Sequence, residues 1–102
     1  MSAGNAWRPV RGATVREQAE RLAGALAELG EGRVFVHRGG AAALLEPRKT
    51  DLPGVLLGLG EPDVIRAESV GVEAAIVGGV LCWRPVGGAG FRAAFAEAIA
   101  GT

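Results

Sequence analysis

The sequence predicts an α+β fold: an antiparallel sheet of about five strands, two Gly-Gly hairpins plus one strand, packed against an N-terminal and a C-terminal amphipathic helix. Three observations predict it. Gly39-Gly40 and Gly78-Gly79 each lie between short apolar runs whose outer ends carry opposite charges. Val15, Ala19, Leu22, Leu26 and Leu29 recur at helical spacing, and so do Phe91, Ala94, Phe95, Ala98 and Ile99. Helices and hairpins in this order form an antiparallel sheet with helices laid on it.

Taken in order, residues 1–12 read as an irregular arm and residues 13–102 as a single domain. Arg8 precedes Pro9 and is disfavoured as helix. Thr14 and Glu17 have the spacing of a capping box, which starts the first helix, and Gly30 offers a left-handed stop. A two-residue turn on Gly39-Gly40 pairs Val36 with Ala43, Phe35 with Leu44, Val34 with Leu45 and, at the outer end, Arg33 with Glu46. Asp51 and Pro53 mark a helix start, while Gly54, Gly58 and Gly60 limit Leu52 to Leu59 to one or two turns. Val64 to Val70 alternates like a strand with one solvated face. The second hairpin, around Gly78-Gly79, pairs Val77 with Val80, Ile76 with Leu81, Ala75 with Cys82, Ala74 with Trp83 and Glu73 with Arg84. Gly101 ends the last helix.

Both hairpins are apolar on both faces, whereas a half-exposed antiparallel strand alternates apolar with polar. Two amphipathic helices cover one face. Leaving roughly 500 Å² of valine and leucine wet on the other forfeits about 12 kcal/mol at about 25 cal/mol per Å². A homodimer is therefore the expected partner arrangement, with Val34, Val36, Leu45, Val77 and Val80 as interface residues; closure of that face within the chain by the arm with Trp7 and the Leu52 to Leu59 segment, or by a different protein, is the alternative.

The 102 residues are 49% hydrophobic and 22% charged, with formal net charge zero, so most of the chain is expected to fold. Nucleic acid is disfavoured as a partner because its recognition needs a concentrated basic surface. No apolar run is long enough for a membrane span, and the start lacks a signal-peptide pattern. A single cysteine, Cys82, fits a reducing cytoplasm. An arginine-rich, lysine-poor chain full of Ala, Gly and Val fits a GC-rich bacterial coding background.

Side chains that perform chemistry are scarce, and tyrosine is absent. His37 and Cys82 are each unique and lie in no catalytic motif; they read as a hairpin histidine and a small buried hydrophobe. One histidine and one cysteine are too few to hold a metal, and no cofactor is implied. The one stretch with a physical ligand mechanism runs from Arg84 through Gly87, Gly88 and Gly90 to Arg92, where free backbone N–H groups at a helix start attract anions. It matches neither the dinucleotide fingerprint nor the P-loop. The expectation is a non-enzymatic interaction or structural module, with a regulatory domain binding phosphate or nucleotide at Gly87–Arg92 as the alternative.

Overall fold

The structure, a computed structural model, describes residues 6–29, 34–46, 50–61, 63–67, 71–86 and 99. Thr14 opens helix α1 (Val15–Leu29): its Oγ1 accepts from the Glu17 N–H at 3.1 Å, and the Glu17 carboxylate accepts from the Ala13 N–H at 3.1 Å. One stripe of α1, formed by Ala19, Leu22, Ala23 and Leu26, is buried against the sheet and against α2 (Leu52–Leu57). Asp51 caps α2 by accepting from the Gly54 N–H at 3.3 Å, with Pro53 in the first turn, where a missing N–H costs nothing.

The sheet contains β1 (Arg8–Pro9), β2 (Val34–Arg38), β3 (Ala41–Leu45), β4 (Val64–Ala67), β5 (Val72–Val77) and β6 (Val80–Pro85). All pairs are antiparallel, in the order β1-β6-β5-β4-β2-β3. Both hairpins adopt the expected registers over their described pairs, Arg33 of the expected Arg33–Glu46 pair lying outside the described residues, on glycines whose φ angles are 54° and 87° at Gly39-Gly40 and 59° and 80° at Gly78-Gly79. The loop between α2 and β4 holds the two turns at the same end of the sheet. Glu61 Oε1 accepts from the Gly78 N–H at 3.0 Å, and Asp63 Oδ2 lies 3.7 Å from Arg38 Nε.

One feature differs from expectation. The sheet has six strands because part of the arm joins it: Arg8 and Pro9 lie opposite Trp83 and Cys82, and the Val10 N–H donates to the Leu81 carbonyl at 2.9 Å. Burial of Val10 in the core anchors that stretch, a tertiary gain that no local pattern announces. The strand read as Val64 to Val70 is described over Val64–Ala67, and residues 68–70 lie outside the described residues. Of the expected C-terminal helix only Ile99 is described; it is helical and buried in the same cluster as α1 and α2.

Candidate interaction face

Strand alternation and register sort the side chains onto two faces. Val36 lies opposite Ala43 and Ile65, Ile65 opposite Ala74, and Ala74 opposite Trp83, so these residues share the face packed against the helices. Val34 belongs to it too. Both Val34 and Val36 are buried in the chain's own core, and Leu45 packs half-buried against it. Val34 and Val36 are thus covered within the chain, in one cluster with residues of α1, α2 and Ile99. Val77 and Val80 occupy the opposite, outer face, opposite each other beside the Gly78-Gly79 turn, and both are exposed. The five residues first grouped as one interface thus stand on two sides of the sheet.

The outer face carries a row that crosses the sheet. Leu44 lies opposite Phe35, Phe35 opposite Arg66, Arg66 opposite Glu73 and Glu73 opposite Arg84. Glu73 Oε2 accepts from Arg66 Nη2 at 3.1 Å, and Oε1 accepts from Arg84 Nε at 2.7 Å. Trp7 closes the row, its ring 4.1 Å from the Arg84 guanidinium carbon, a cation–π contact. Glu73 is buried beneath these neighbours, the arrangement under which a buried carboxylate remains charged and satisfied. The middle of the outer face is therefore ionic, and its exposed large apolar side chains are Leu44 toward one edge and Val77 and Val80 at the turn end.

The adjoining row holds His37, opposite both Ala42 and Val64, and Cys82, opposite Ala75. Three strand spacings, about 14 Å, separate β2 from β6, too far for an imidazole to take a proton from a thiol. Burial pushes the Cys82 thiol up from its ordinary value, away from a reactive thiolate. Phe35 and His37 lie with ring centroids 6.5 Å apart. Among the described residues no group of three or more His, Cys, Asp or Glu is placed to hold a metal ion.

Of the candidate anion site, Gly87, Gly88, Gly90 and Arg92 lie outside the described residues. Arg84 is described, and the charge expected to serve an anion is instead engaged by Glu73 and stacked on Trp7. Sequence reading missed Arg66 as a partner of Glu73 and the stacking of Trp7 on Arg84. The available signal was the short spacing of Arg66 and Glu73 around Gly71, which has φ 68°, since a hairpin there brings them opposite each other. It also missed the exposure of β3 and, on the helix side beside it, an apolar groove of about 350 Å³ lined by Val36, Arg38, Ala41, Ala43, Leu45 and Val55. Among the described residues no helix is long and apolar enough to cross a membrane. Comparison with protein-family models, with curated proteins and with solved structures finds no match for this chain.

Proposed function

We propose that this chain is a small non-enzymatic interaction module that associates with itself through the apolar part of its outer sheet face. One observation carries the reading: with the other face covered by helices, Leu44, Val77 and Val80 remain 54%, 39% and 37% exposed. Apolar side chains held on a rigid strand face gain about 25 cal/mol for each Å² that a partner removes from water, without further ordering cost in the backbone. Zero net charge lets like copies approach, and the Arg66–Glu73–Arg84 row offers a fixed charge pattern to orient them. Sedimentation equilibrium tests this. Over roughly 1–100 µM the wild type is expected to populate an associated species, and the double substitution Val77→Lys/Val80→Lys to weaken it at least about tenfold. A monomer throughout that range overturns the reading.

A further inference from the structure

The two edges of the sheet are built differently. On one side β1 is two residues long, includes Pro9, and is followed by Val10, whose N–H bonds the Leu81 carbonyl. Beyond it the Leu81 N–H is taken by the Gln18 side chain from α1, at 3.3 Å. That edge is short and plugged. On the other side β3 is five residues of alanine and leucine without a charge or a proline, and Ala41 to Leu44 are exposed. Natural sheets normally blunt such a strand with lysine, proline or a bulge.

From this contrast we infer that β3 pairs with β3 of a second copy, antiparallel about Ala43, joining two sheets into one. The inference rests on the reading that the chain self-associates and adds a contact distinct from Val77 and Val80. Backbone geometry selects the register. A two-residue turn makes Arg38 and Ala41 a hydrogen-bonded pair, so Val36–Ala43 is the next such pair, and the N–H and C=O groups of Ala42 and Leu44 point to the open edge. With the two-fold axis at Ala43, Ala42 of each copy lies opposite Leu44 of the other, and each such pair exchanges both backbone bonds. Ala43 then meets its own counterpart in a non-hydrogen-bonded pair, where Cα atoms approach to about 4.5 Å and a small side chain fits.

Side-chain size agrees with that register. Every leucine meets an alanine: Leu44 opposite Ala42 on the outer face, and Leu45 opposite Ala41 on the helix side, where the 350 Å³ groove receives it. No like charges are placed opposite each other along the strand.

Ala42→Pro removes an outward N–H that the β2–β3 ladder does not use, so the fold tolerates it while the edge loses its bond. Sedimentation equilibrium of this variant, its melting followed by circular dichroism, is expected to show association weakened at least tenfold. In a Cys82→Ser background, Ala43→Cys is expected to form a disulfide-linked dimer on mild oxidation, and Ala42→Cys is not; this comparison decides the matter if Ala42→Pro does not fold. Association unchanged by Ala42→Pro but lost in Val77→Lys/Val80→Lys overturns the edge contact and leaves the outer-face reading standing. The reverse result keeps the edge contact and removes the outer-face one. Equal crosslinking at positions 42 and 43, or β3 protected only when a different protein is added, overturns the inference.

Discussion

The two hairpins share a turn sequence, a turn geometry and a local pairing rule, yet they end in different places. In β5–β6, both strands are flanked, β5 by β4 and β6 by β1, and Leu81, Cys82 and Trp83 are buried. In β2–β3, β2 is flanked on both sides, and among the described residues β3 has a neighbour on one side alone. Four of its five residues are exposed. The lesson is that turn chemistry sets register and sheet position sets burial. A Gly-Gly turn with positive φ aligns partners over five or six residues, and it carries no information about what lies beyond the second strand.

The largest test of this contrast compares a leucine from each second strand. Leu81→Ala removes a fully buried side chain and is expected to cost about 3–4 kcal/mol in urea denaturation, whereas Leu44→Ala, on the exposed strand, costs under about 1 kcal/mol. Equal costs would mean that β3 is packed in the folded monomer. Next in size is Glu73→Ala, which leaves the Arg66 and Arg84 guanidiniums side by side without their shared carboxylate. Both arginines are more than a third exposed, so the loss is expected near 1–2 kcal/mol rather than the larger value of a fully buried pair, and added salt should recover part of it.

Gly39→Ala and Gly78→Ala sharpen the shared half of the comparison. Neither added methyl meets an atom within 4 Å, so each is expected to cost about 1 kcal/mol from backbone strain alone, equally in the two hairpins. Glu61→Ala then separates them. It removes the acceptor of the Gly78 N–H and should loosen the second turn by about 0.5 kcal/mol, read as faster amide exchange at Gly78, with no change at Gly39.

The smallest effect is expected at Cys82. Its folded pKa is raised, so its contribution to stability is fully present below the unfolded thiol's range, near pH 8.5, and is lost as pH rises through the folded value. Cys82→Ala should flatten that alkaline decline in denaturation midpoints. The wild-type thiol should also react with a disulfide reagent far more slowly folded than unfolded. Rapid labelling of the native protein would place Cys82 at an open surface rather than beneath its neighbours.

Much of the local structure was legible because it rests on residues close together in the chain. Thr14 and Glu17, Asp51 and Pro53, and the two glycine pairs announced where α1, α2 and both turns begin. Face membership within each hairpin follows from alternation, which puts Val34 and Val36 with Ala43 and Leu45, and Val77 and Val80 with Ala75 and Cys82. What did not follow was which face of one hairpin continues which face of the other. That depends on β4, whose Ile65 joins Val36 to Ala74, and on the order in which strands assemble. Without it, buried Val34 and exposed Val80 looked alike.

The sequence by itself determined where α1, α2 and the two Gly-Gly hairpins lie, the caps at Thr14 and Asp51, the hairpin registers and the amphipathic stripe of α1, since turns, caps and periodicities are short-range physics. Only the tertiary structure decided that β6 is interior and β3 an edge, that Arg8 and Pro9 form a strand, that Arg66 and Arg84 share Glu73, and that Val34 and Val36 are buried in the chain's own core. These outcomes come from burying one common core, a long-range requirement that many local arrangements satisfy equally well until every element is in place.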